Sequence, residues 1–111
     1  MTDDRLTAIL AQRVMGWGVG PARYLIGGRR WLPRWRFQPL TRIEDAFQVL
    51  EKAATTFKLT ANADGTFTAR VCVGKNRPGS ASGESKATVI STAVARAIGL
   101  DLADRVDSEK P

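Results

Sequence analysis

The stretch Thr41–Val73, TRIEDAFQVLEKAATTFKLTANADGTFTARVCV, decides the fold, because its hydrophobic period changes part-way along it. Ile43, Ala46, Phe47, Leu50, Ala53 and Ala54 recur at helical spacing, and Arg42, Asp45, Gln48, Glu51 and Lys52 fall on the opposite, water-facing side. The spacing predicts a helix over about 42–55. Thr41 and Glu44 have the S/T-x-x-E form of a capping box at its start. From Phe57 the period drops to two: Phe57, Leu59 and Ala61 alternate with Lys58, Thr60 and Asn62, and Phe67, Ala69, Val71 and Val73 alternate with Thr66, Thr68, Arg70 and Cys72. Asp64-Gly65 between them supplies the turn of a β-hairpin over 57–74. One face of that hairpin is apolar enough to need a helix layer.

Towards the C-terminus, GKNRPGSASGES (Gly74–Ser85) has the composition of a mobile loop. A third helix, about 84–98, follows. Ala87, Ile90, Ala93, Val94, Ala97 and Ile98 share a face, and Gly99 is placed as its stop. The polar segment 103–111 offers little to bury and reads as a flexible tail, leaving 1–102 as one α+β domain.

Towards the N-terminus, Thr2 can cap a first helix, about 3–16, with Asp3 and Asp4 at its positive end and Leu6, Ile9, Leu10, Val14 and Trp17 in one apolar stripe. Trp17 therefore reads as core. Two short apolar runs around Gly27-Gly28 predict a hairpin near 23–33, and Pro33 and Pro39 bracket what reads as an extended connection. The expected architecture is a small antiparallel sheet packed with three helices.

Composition bounds function. With 111 residues there is room for one core. No apolar run approaches the roughly 20 residues needed to span a bilayer, and Asp3 and Asp4 stand where a signal peptide would be basic, so a cytoplasmic protein without a membrane partner is expected. The chain has no histidine and a single cysteine, Cys72. The usual general base, the commonest metal ligand and every Ser-His or Cys-His arrangement are therefore missing. A binding protein without catalytic residues, metal or cofactor is the expectation.

Several features together resemble the phage ABA-sandwich domain, a family of small proteins encoded by phages and prophages. They are MGW at Met15–Trp17, W-x-P at Trp31–Pro33, and F-x-P-x-T-x-I-x-x-A from Phe37 to Ala46, followed by a hairpin and an alanine-rich last helix. The resemblance spans roughly Leu6 to Leu100. The chain departs from the pattern in its Gly-Gly and arginine-rich insert and in Phe47, where a Trp commonly follows the alanine. The resemblance implies helices packed on an antiparallel sheet and a phage or prophage origin. It brings no catalytic residues.

The formal charge of +6 is concentrated in one segment, RYLIGGRRWLPRWRFQPLTR, where six arginines and no acid lie between Arg23 and Arg42. Arg23, Arg29, Arg30, Arg34, Arg36 and Arg42 with Trp35 form the candidate partner-binding set, since guanidinium groups beside indoles hold phosphates, stack on bases or clamp acidic surfaces. Trp31, within the family-like W-x-P, is expected to be buried. Lys75, Arg77, Ser82 and Lys86 form a second candidate, a phosphate-binding loop ahead of the third helix, although they do not match the P-loop pattern. Cys72 alternates onto the outer face of its strand and has no base to activate it.

The expected function is stoichiometric binding to a host protein or ribonucleoprotein complex, with an anti-defence inhibitor of the anti-CRISPR kind as the specific case. The alternatives are non-sequence-specific nucleic-acid binding and an oligomeric structural or nucleotide-sequestering protein.

Overall fold

The computed structural model describes residues 2–100, so the expected tail at 103–111 lies outside the described residues. The order is α1 (Asp3–Arg13), β1 (Gly18–Val19), β2 (Arg23–Gly27), β3 (Arg30–Pro33), a 3₁₀ turn (Arg34–Arg36), α2 (Ile43–Ala53), β4 (Thr56–Ala61), β5 (Phe67–Val73), β6 (Arg77–Gly83) and α3 (Lys86–Ala97). The class is α+β as expected. The strands, however, form two three-stranded antiparallel sheets, β1-β2-β3 and β4-β5-β6.

Helix α1 begins as the sequence suggests, with the Thr2 hydroxyl accepting from Arg5 N–H (3.1 Å) and Asp3 and Asp4 in the first turn. It ends at Arg13, three residues short of the expected 16. The chain needs the positive φ of Gly16 (75°) to turn back and bring the Trp17 N–H onto Ala11 O (3.0 Å). Trp17 then packs edge-on against Phe37 at 4.9 Å and tilted against Tyr24 at 5.8 Å. Its expected place in the core holds. The glycines after it permit β1, a two-residue strand too short to leave an alternation in the sequence, which pairs Gly18 with Leu25 and Val19 with Tyr24.

The F-x-P-L segment is a core plug. Phe37, Pro39 and Leu40 are buried, and the carbonyls of Pro39 and Leu40 accept hydrogen bonds from Ser91 Oγ (2.6 Å) and Thr88 Oγ1 (2.7 Å) of α3. Immediately before it, the connection bracketed by prolines is a 3₁₀ turn, closed by Phe37 N–H to Arg34 O (3.2 Å), and not an extended strand.

The capping box does not form at α2. Its N-cap is Arg42, without a side-chain cap bond, and the helix runs 43–53. The Thr41 hydroxyl turns back to Gln38 O (3.5 Å), while the Asp45 carboxylate reaches beyond the helix start to accept from Gln38 N–H at 2.9 Å. Asp45 is therefore buried instead of solvated, and the inward face is Ala46, Val49 and Leu50, with Phe47 only partly covered.

The β4–β5 hairpin pairs Phe57 with Val71, Lys58 with Arg70 and Leu59 with Ala69 around the positive-φ Gly65. The largest correction concerns Gly74–Ser85: the composition of a mobile loop belongs to a regular strand, β6, paired along β5 from Phe67↔Gly83 to Val73↔Arg77. Gly79, Ala81 and Gly83 are its inward residues. A Cβ on Gly79 would overlap the Ala93 carbonyl and the backbone of Ala97, so α3 lies directly on the strand with no side chain between them. Ala93, Val94, Ala95 and Ala97 on α3 are small enough to allow it. The helix stops where Gly99 was expected to stop it: Leu100 N–H returns to Ala95 O and Gly99 N–H to Arg96 O, a Schellman closure with Gly99 at φ 90°.

Candidate functional site

In the first sheet Tyr24 is buried and pairs with Leu32. By alternation Arg23, Leu25 and Trp31 fall on the opposite face. There the Arg23 guanidinium lies over the Trp31 ring, 4.2 Å from its centroid, in a cation–π contact that covers one side of the indole. Trp31 is nevertheless 48% exposed, so W-x-P does not bury it: its strand position points it away from the core that Tyr24 fills. Gly27 and Gly28, both at positive φ, form the hairpin tip, which leaves Arg29 and Arg30 in solvent.

The 3₁₀ turn displays Trp35, 69% exposed, with the Arg36 guanidinium 5.9 Å from its ring centroid. Arg34 behaves differently from its neighbours. It folds back, donating to Gly20 O (3.3 Å) and lying 5.5 Å from the Tyr24 ring centroid, so it braces the β1–β2 connection. Arg42 stands at the start of α2, 4.0 Å from Asp45. Of the expected set, Arg23, Arg29, Arg30, Trp35 and Arg36 are exposed on the first sheet, its hairpin tip and the turn that follows it, Arg34 is engaged within the fold, and Arg42 is exposed at the start of α2. A cleft of about 280 Å³ beside Trp35 is lined by Asp4, Thr7, Tyr24, Arg34 and Gln38, so a carboxylate faces it as well as a guanidinium.

The expected phosphate loop is not assembled. Lys75 and Arg77 lie at the start of β6, while Ser82 and Lys86 lie at and beyond its other end, roughly 17 Å away for five residues of strand. Ser82 pairs with Thr68 (2.9 Å) and Lys86 sits over the Phe67 ring (5.0 Å). The first turn of α3 is capped by its own Ser85, which accepts from Thr88 N–H (3.3 Å).

Sequence reading missed a third basic group. Lys58 and Arg70 are register partners on the face of the second sheet away from α3, and Arg96 reaches from α3 to donate to Ser80 O (2.8 Å) at the edge of β6. All three line a depression of about 840 Å³. The signal was present: a turn at Asp64-Gly65 puts Lys58 opposite Arg70. With β6 read as a loop, nothing showed that the two belonged to a wider surface. Cys72 lies on the same face, partly exposed, where the alternation placed it.

Asp64 has its carboxyl held below the ordinary range by hydrogen bonds from the Thr66 hydroxyl (2.6 Å) and backbone N–H (3.1 Å). It shapes a turn. Among the described residues no group of three or more His, Cys, Asp or Glu side chains is placed to hold a metal, and no helix is long and apolar enough to cross a membrane.

The architecture, three helices and two three-stranded antiparallel sheets, has a counterpart among solved structures. It matches the crystal structure of a phage protein from Bacillus cereus ATCC 14579 with a TM-score of 0.72 over 92% of both chains at 19% identity, a likeness of fold alone. No family model and no curated protein matches the sequence.

Proposed function

We propose that this is a phage or prophage accessory protein of the ABA-sandwich type that acts in the host cytoplasm, without turnover, by occupying a host protein or ribonucleoprotein. An anti-defence inhibitor is the specific case. The fold shared with a phage protein and the F-x-P-x-T-x-I-x-x-A run, whose Phe37 and Pro39 serve the core, support the family and the origin. The observation that carries the binding mode is the Arg/Trp surface of the first sheet and its following turn: Trp35 is 69% exposed, and no carboxylate lies in sequence between Arg23 and Arg42. An exposed indole costs little conformational entropy to immobilise and is a common anchor, and flanking guanidinium groups add directional bonds to acidic side chains.

Two details favour a protein surface over a nucleic acid. Arg23 covers one side of Trp31, removing a face on which a base would stack, and Asp4 lines the cleft beside Trp35, where a phosphate would be repelled. The nucleic-acid reading rests on the same arginines with Trp35 as its stacking platform.

Affinity capture from host lysate tests the proposal, with wild type beside Trp35→Ala and Arg29→Ala/Arg30→Ala/Arg36→Ala. A stoichiometric partner held by the wild type and lost from both variants supports it. Equal capture by all three proteins, or a wild-type eluate containing nucleic acid alone, rejects it.

A further inference from the structure

The second sheet carries an electrostatic conflict that the fold does not resolve. Lys58 and Arg70 stand directly opposite one another in the β4–β5 ladder, and like charges in that relation destabilise a sheet. Neither has an ion pair among the described residues, and from Thr56 to Gly83 the only acid is Asp64, in the hairpin turn and tied to Thr66. A third cation, Arg96, is held at the far edge by Ser80 O, with one guanidinium nitrogen committed to that bond. These groups span three strands, about 10 Å at ordinary strand spacing, comparable with the length of a polyphosphate chain.

The same residues bound a space suited to more than an inorganic ion. The depression of about 840 Å³ falls within the range for small-molecule sites, and two cross-strand rows, Thr56–Cys72–Pro78 and Lys58–Arg70–Ser80, form its floor. Hydroxyls of Thr56 and Ser80 and the apolar surfaces of Phe57 and Pro78 accompany the cations, and no carboxylate lines it. That is a surface for a polyanionic head attached to a less polar body.

We propose that this face of the β4–β5–β6 sheet binds a nucleotide, its phosphates bridging Lys58, Arg70 and Arg96. Binding relieves the repulsion between Lys58 and Arg70, so the ligand stabilises the sheet on which it sits. The site is separate from the Arg/Trp surface, and either can fail without the other.

The test is calorimetric titration of the full chain with magnesium-free ATP, beside adenosine and inorganic tripolyphosphate, at physiological ionic strength. The expected result is saturable binding near one ATP per chain, at least about tenfold weaker for adenosine and for tripolyphosphate, and at least about tenfold weaker in Arg70→Thr. Arg29→Ala/Arg30→Ala/Arg36→Ala should retain it. Thermal unfolding guards against a misfolded variant: without ATP, Arg70→Thr should melt at or above the wild-type temperature, and ATP should raise the midpoint of the wild type only. Absence of saturable ATP binding, unchanged affinity in Arg70→Thr, or equal affinity for adenosine or tripolyphosphate overturns the assignment.

Discussion

The two sheets are buried by opposite means. The first leans on large rings: Trp17, Tyr24 and Phe37 meet with centroids 4.9–5.9 Å apart in one cluster. The second meets its helix through residues with almost no side chain, Gly79 and Ala81 of β6 against Ala93 and Ala97 of α3. A ring-filled core loses stability in proportion to the atoms removed. A contact made by the backbone has no slack in the other direction, because an added atom must displace a helix.

That asymmetry is open to test. Gly79→Val should have the largest effect, leaving no cooperative unfolding transition, since even a Cβ there overlaps the α3 backbone. A circular dichroism melt decides it, and a native-like transition would show that α3 does not lie on β6. Phe37→Ala should cost about 3–5 kcal/mol in urea unfolding by opening a cavity in the aromatic cluster. A cost below about 1 kcal/mol would remove the contrast between the two regions. Between these regions, Ser91→Ala should cost about 1–3 kcal/mol by stranding the Pro39 carbonyl inside the protein.

The smallest effect lies at the β4–β5 turn. Asp64 has a lowered folded pKa, so its contribution is complete above the ordinary carboxylate pKa and is lost as pH falls through the lower folded value. Stability curves of wild type and Asp64→Ala should run parallel at neutral pH and converge below about pH 4. Curves that converge on raising the pH instead would contradict this sign.

The same contrast explains what was legible in the sequence. Helices α2 and α3, the β4–β5 hairpin and the Trp17 contact all involve side chains whose spacing records which face is buried. Strand β6 does not, because Gly79, Ala81 and Gly83 alternate with Pro78, Ser80 and Ser82, and neither set looks apolar. Its structure comes from a tertiary contact that needs absence of side chain, which in sequence has the same composition as flexibility. The failed capping box is similar: the Thr41 N–H that Glu44 would accept from is bonded to Gln38 O, and Arg42 takes the N-cap position. For the site, the clustering of arginines was visible, but not the diversion of Arg34 to Gly20. Lys58, Arg70 and Arg96 become neighbours only once β6 is a strand.

We propose a host protein partner for the Arg/Trp surface, and a salt-dependent titration with short single- and double-stranded DNA and RNA tests this most directly. Wild type should be compared with Arg29→Ala/Arg30→Ala/Arg36→Ala, starting at physiological ionic strength. The account predicts that the folded wild type shows no saturable binding that the triple variant loses. Binding that weakens steeply with added salt and disappears in the triple variant would contradict it, and would make these arginines phosphate contacts with Trp35 as their stacking platform.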